Sequence, residues 1–465
     1  MQGPPLNLPH LQSQSPPRLQ SPPRLQSQRR PHLQSPRRPH LQSPHRLQSQ
    51  LLSSPRASSP QDAFLRADPG GGPVRVIDSS QQPAWASPDV YPEKPDSSPF
   101  GALSRQGRRS EFETSDALSA HVRSSRDSVE AVWTPESDRM QPPEAVSDLL
   151  EPLRERFLDL AEADSSDARR TTGIFAVLLG WALYANVANR TMPTESVEVG
   201  LAAILLVLMG LVPYYDAQRN RRSARELDPA RLKGEEQEAR FERWLGQQRR
   251  IFTYGLISFL VVTGAVQIWV EVEASARAAG LDKERYRAGE IYRLFTAPFL
   301  HGHALHWVLN VAGLWYIGRR VEALASWPHL VMVFLAAMLA GGVTSAQFMP
   351  EHSSLGASGG LMGLLGFLLV FETLHARLVP HPTRRRLGAA LLVTFVIGVV
   401  GYRFIDNYAH AGGLVAGMIY GGIVFPRSRS VRRPRANRVD FFLGGAALVV
   451  LTGSASVAVL LMLAS

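Results

Sequence analysis

Nine apolar stretches, at roughly 173–190, 197–215, 251–270, 303–321, 329–348, 355–373, 387–403, 408–425 and 441–463, limit what this chain can fold into. Each has 17 to 23 residues, the length a helix needs to cross about 30 Å of hydrocarbon. A backbone in lipid must satisfy its polar groups internally, so such stretches are expected to be helices. The expected fold class is an all-α polytopic membrane protein. The third to eighth stretches form a compact core of six spans, with two extra spans before it and one after.

The chain has 465 residues, 45% of them hydrophobic, yet its mean hydropathy is only −0.07. A polar N-terminal third dilutes the apolar remainder. There is no cysteine, which excludes disulfides, thiol catalysis and thiolate metal sites. The formal charge of +10 does not imply a nucleic-acid partner, because the arginines cluster at the ends of the apolar stretches. That placement follows the tendency of basic residues to stay on the cytoplasmic side.

Residues 1–145 show no helical or strand period, and Leu-Gln-Ser recurs six times, from Leu11 to Leu47. A Pro/Ser/Gln/Arg tract of this kind cannot bury enough apolar surface to offset its conformational entropy and is expected to be disordered. It lacks the continuous apolar core of a secretory signal. No methionine lies between Met1 and Met140, which makes Met140 an alternative start. Residues 146–170 are expected to form an amphipathic cytoplasmic segment, with a helix at 147–163. Residues 171–250 make a two-span hairpin plus linker, 251–425 the core, and 426–465 a basic loop and final span.

The arginine-rich segments 219–250, 319–320, 384–386 and 427–438 all fall on one side when the spans are counted, and that side is assigned to the cytoplasm. The stretches beginning near 303, 355 and 408 then descend in the same direction from the opposite side. Each opens with polar residues: His306 and Asn310; Ser358 within Gly356-Ala357-Ser358-Gly359-Gly360; and His410 within His410-Ala411-Gly412-Gly413. At 1.5 Å rise per residue, all four lie between a few ångströms and about 10 Å below the outer surface. Polar groups inside a membrane are costly and mark functional sites by default.

Ser358 is a candidate nucleophile, and a serine hydroxyl needs an adjacent base. His410 is the candidate base. Glycines surround Ser358, and Gly413, Gly417 and Gly421 follow His410 at four-residue spacing, which allows two helices to meet backbone to backbone. His306 and Asn310 share a helical face and both carry donors suited to an oxyanion. Asp406, four residues before His410, is expected in the aqueous loop, so a Ser–His dyad is favoured over a triad. Each motif alone has a plainer reading as helix packing, capping or interhelical hydrogen bonding. His301, His303 and His306 imitate a metal site, but only two share a face and no carboxylate accompanies them. No metal and no cofactor are expected.

Together these residues resemble the rhomboid family of intramembrane serine proteases. The resemblance covers about 251–425 and includes His301, His306 and Asn310, Gly318 with Glu322, Gly356-Ala357-Ser358-Gly359, and Ala409-His410 with Gly413 and Gly417. Tyr292-Arg293 stands where the family usually has Trp-Arg, in a loop that the family embeds partly in the membrane. Met362 stands where many members have an aromatic against the histidine. The resemblance implies that Ser358 attacks, His410 acts as general base, and the Ser358 amide, His306 and Asn310 hold the oxyanion. The implied partners are the bilayer and transmembrane protein substrates, cut near their outer ends. The expected setting is a bacterial cytoplasmic membrane, with the N-terminus inside and the active site opening outward. A non-catalytic relative that retains membrane clients and a histidine-based transporter are the competing classes.

Overall fold

Helices occupy all nine apolar stretches. The structure, a computed structural model, describes residues 82–465 apart from 126–127, 191, 193–195, 226–228, 351–352 and 403–404. The Leu-Gln-Ser repeats lie outside the described residues. The described chain is mostly helical. Helices 147–188, 198–222, 251–270, 327–348 and 438–463 are long and apolar enough to cross a membrane.

One departure concerns residues 82–145, which were expected to be structureless. Strands β1 (Phe100–Ser104), β2 (Arg109–Phe112) and β3 (Val129–Trp133) form an antiparallel sheet in the order β2-β1-β3. Helix α1 (Ser115–Ser124), capped by the Thr114 side chain, contributes Leu118 and Val122 to a small core with Ala102, Val132, Leu149 and Leu153. Strands of four or five residues, with consecutive residues buried in β1 and β3 rather than alternate ones, show no period-2 pattern in a Ser/Pro-rich sequence. The chain as a whole is mostly helical, and this small sheet precedes its membrane-length helices in sequence. Met140 is only 2% exposed, and its amide donates to the Pro92 carbonyl at 3.1 Å. A chain starting there would lack all three strands.

Helix α2 (Leu150–Ala188) runs unbroken through what the sequence divided into an amphipathic segment and a span. Its only proline, Pro152, sits in the first turn, where no helical hydrogen bond is lost. Its first half is buried at Leu153, Ala161 and Ala168, whereas Val177, Trp181 and Tyr184 farther along are exposed. Helices α3 (Val197–Leu205) and α4 (Val212–Arg225), joined by a π-helical turn, return against α2. Helix α5 (Pro229–Gln247) then docks the N-terminal unit. The Val90 carbonyl accepts from Arg243 Nε at 3.0 Å and Gln247 Nε2 at 2.9 Å. The Arg243 guanidinium lies 4.9 Å from the Tyr91 ring centre. Burial raises the Tyr91 pKa above its usual value, which keeps the phenol neutral.

The core follows as α6 (Ile251–Val270), three short loop helices α7 (Val272–Ala279), α8 (Lys283–Arg287) and α9 (Arg293–Thr296), then α10 (Ala304–Ala325), α11 (Trp327–Phe348), α12 (Ser358–Leu374), α13 (His381–Val400), α14 (Asn407–Val424) and α15 (Arg438–Leu463). Helix α12 is innermost: every residue from Gly359 to Leu368 is buried, with α10, α11, α13 and α14 around it. The Gly318/Glu322 pair has a structural role. Glu322 accepts from the Phe252 and Thr253 amides at 3.2 and 2.8 Å and from Thr253 Oγ1 at 2.6 Å. It thereby satisfies the orphan donors at the start of α6. Gly318 leaves room for the Thr253 side chain, which a Cβ would meet at 3.1 Å.

Candidate active site

Ser358 is the first residue of α12. The chain reaches it through Gly356, whose φ of +118° is open to glycine and strained for other residues. The loop before it is pinned by paired bonds between Leu281 and Ser354, both at 3.1 Å, and by the Gly356 amide on the Ala297 carbonyl at 3.1 Å. The first intrahelical bond runs from the Leu361 amide to the Ala357 carbonyl. The amides of Ser358, Gly359 and Gly360 therefore precede the helical ladder and point outward as donors.

His410 lies one turn into α14. Directly below the two residues, α12 and α14 touch backbone to backbone. A Cβ on Gly413 would strike the Gly359 carbonyl, and one on Gly417 the Gly363 carbonyl. Helix α11 closes in from the other side, where a Cβ on Gly341 would stand 2.7 Å from the Ala409 carbonyl. Among the described residues, neither Ser358 Oγ nor the His410 ring makes a hydrogen bond. A cavity of about 40 Å³ beside Ser358 is lined by Gly356, Gly359, Asp406 and Met338 among others. It is large enough for a water molecule.

The His306 ring lies against Gly356: a Cβ there would stand 2.6 Å from Cε1 and 2.9 Å from Nε2. Asn310 is buried, and its amide donates to the His306 carbonyl at 3.0 Å. His303 caps α10 by accepting from the His306 amide at 3.2 Å. The backbone of His301 is clamped by Gln267, which accepts from its amide at 2.9 Å and donates to its carbonyl at 2.8 Å. The structure thus brings His306 to the turn before Ser358, while Asn310 bonds its own helix. Met362 is buried one turn below Ser358.

Sequence reasoning missed a polar cluster next to the cavity. Asp406 caps α14 by accepting from the Ala409 amide at 2.9 Å, and its other oxygen takes the Ser345 and Ser354 hydroxyls. Lys283 Nζ stands 4.0 Å from Asp406 and donates to the Met349 carbonyl at 2.8 Å. Burial lowers the Lys283 pKa and Asp406 opposes that shift. Asp406 therefore sits in a buried network that fixes the start of His410's helix, rather than in the aqueous loop. The loop itself is held by Arg293, which bonds Glu290 at 2.7 Å and the Gly280 carbonyl at 2.7 Å. Tyr292 donates to the same carboxylate at 2.7 Å.

Gly356→Ala combines the strained φ with a collision against His306. It is expected to cost about 1–3 kcal/mol in backbone strain alone. The variant should show a lower unfolding midpoint in detergent, and a serine-directed probe should react more slowly with it. Unchanged values for both would contradict the placement of His306 against this turn.

The family model of the Rhomboid domain matches residues 288–427. RHOMBOID-like protein 4 of Arabidopsis thaliana is 30% identical over 149 residues, covering 32% of this chain and 38% of the relative. The mitochondrial RHOMBOID-like protein 6 of the same plant is 31% identical over 154 residues, 32% of this chain and 48% of the relative. Inactive rhomboid protein 1 of Homo sapiens is 30% identical over 131 residues, 28% and 15% of the two chains. The match thus spans less than half the length of each of these relatives. With helices at every apolar stretch, the chain is a multi-pass membrane protein that carries a Rhomboid domain at residues 288–427.

Proposed function

We propose that this chain is an intramembrane serine endopeptidase that cuts transmembrane segments of other proteins near their outer ends. The observation that carries this reading is the backbone contact of α12 with α14 immediately beneath Ser358 and His410. It keeps the serine and the histidine on adjoining first turns. In the proposed reaction Ser358 Oγ attacks the scissile carbonyl while His410 takes its proton. The oxyanion is held by the Ser358 amide, the His306 ring and the second N–H of Asn310, since an amide nitrogen carries two donors. His410 then returns the proton to the leaving amine, and water hydrolyses the acyl-serine by the same relay. A helical substrate has its amides in internal hydrogen bonds, so cleavage requires local unwinding at the shallow site. The arginine clusters at the opposite end of the bundle support a cytoplasmic assignment for that end.

The similarity to a relative named an inactive rhomboid protein gives a second reading, in which the chain binds membrane clients without cutting them. A fluorophosphonate probe separates the two. The wild type should label at Ser358, Ser358→Ala should not, and His410→Ala should label about 10³-fold more slowly or less. A folded wild type that resists the probe would favour the binding reading.

A further inference from the structure

At the end of the bundle remote from Ser358, two adjoining cavities of about 400 and 830 Å³ share a wall formed by Arg432, Arg433 and Arg435. Six arginines lie between positions 427 and 438, and among the described residues none of them forms an ion pair. Arg433 is fixed in place by the Ala323 carbonyl at 2.7 Å and Gln248 at 3.3 Å, with its guanidinium 5.4 Å from the Trp244 ring centre. Both of these partners are neutral. The one acid lining the smaller cavity, Asp440, already accepts the Asn437 amide at 2.7 Å.

We propose that these cavities bind the phosphate of an anionic phospholipid. Arg432 and Arg435 supply the charge. The hydroxyls of Ser428 and Ser430, which line the smaller cavity, accept backbone amides at 3.1 and 3.0 Å and retain their protons to donate. Arginine is the side chain best suited to phosphate oxygens. The occupant is a lipid rather than a soluble phosphate because the larger cavity has an aromatic wall beside its arginines. It is walled by Trp85, Trp244 and Phe441, and on α15 Phe441 is followed by the exposed Phe442 and Leu443. Acyl chains fit along that face while the headgroup meets the arginines, as in basic pockets between membrane helices. The N-terminal tail does not suit the role, since residues 1–81 contain only Asp62, Asp68 and Asp78 as acids.

The test is native mass spectrometry of the detergent-purified full chain with phosphatidylglycerol and with phosphatidylcholine. The wild type should retain phosphatidylglycerol preferentially. Arg432→Gln/Arg435→Gln should weaken that retention about 30-fold, given the contribution of each arginine at an anionic lipid surface. Arg427→Gln/Arg429→Gln removes the same charge from the same loop but outside the cavity walls, and should leave retention within about 3-fold. Equal losses in the two double variants would overturn the proposal in favour of diffuse attraction. Displacement of the lipid by inorganic phosphate at equal concentration would overturn it in favour of a soluble ligand. Circular dichroism melts of each variant in phosphatidylcholine detect misfolding. A deficit that disappears when only folded protein is counted would count against the site.

Discussion

Gly417→Val should separate helices α12 and α14 and abolish reaction at Ser358. A Cβ on Gly417 collides with the Gly363 carbonyl, which belongs to the backbone of the most deeply buried helix and has no rotamer by which to retreat. Overpacking a core costs about 1–3 kcal/mol when side chains can adjust. Here the backbone must move, so about 3 kcal/mol or more is expected. The unfolding midpoint in detergent should fall, and probe labelling should be lost. Gly422→Val is the matched control, because a Cβ at Gly422 meets nothing within 4 Å. That variant should retain its midpoint and its labelling. If Gly417→Val behaved like Gly422→Val, the close contact beneath the candidate site would be wrong.

Glu372→Gln should destabilise the bundle by about 3–5 kcal/mol, the usual effect of removing one partner of a buried ion pair. Arg320 and Glu372 form a two-bond pair at 2.6 and 2.9 Å, with side chains 2% and 1% exposed. They join the far ends of α10 and α12, the helices that carry His306 and Ser358 at their opposite ends. The Arg320 guanidinium also sits 5.3 Å from the Phe241 ring centre on α5, and Phe241 meets Trp85 of the N-terminal unit edge-on at 6.3 Å. The pair thus links the helices of the candidate site to the docked unit. Replacing both partners, as in Arg320→Met/Glu372→Leu, removes the uncompensated charge and should recover much of the lost stability. Chemical denaturation of the wild type, Arg320→Met, Glu372→Leu and the double variant distinguishes this from simple additivity. A double variant as unstable as the sum of the single changes would show that the charges do not depend on each other.

Much of the core was legible because its physics is local. A 20-residue apolar run specifies a helix by itself, and α6 spans the predicted 251–270. The four-residue spacing of Gly413 and Gly417 announced the close approach that the structure contains. The strands between Phe100 and Trp133 were hidden because each is too short to establish a period, and β1 and β3 bury consecutive residues rather than alternate ones. The division of α2 failed for a different reason: hydropathy changes along it but the backbone ladder does not. The network of Lys283, Ser345, Ser354 and Asp406 was not legible at all. Its members come from four separate segments across more than 120 residues, and no short-range pattern marks them. Asp406 was noticed only as a neighbour of His410. Its bond to the Ala409 amide makes it a helix cap that positions His410 through the backbone.

The most direct test of the proposed activity is cleavage of a reporter transmembrane segment with a small, helix-breaking residue near its outer end. Wild type and Ser358→Ala are to be compared at equal abundance in the same membrane. Wild type should cut the reporter within its outer turns, and Ser358→Ala should fall to background, a loss of about 10⁴-fold or more. Equal cleavage by the two proteins would contradict the assignment of Ser358 as nucleophile.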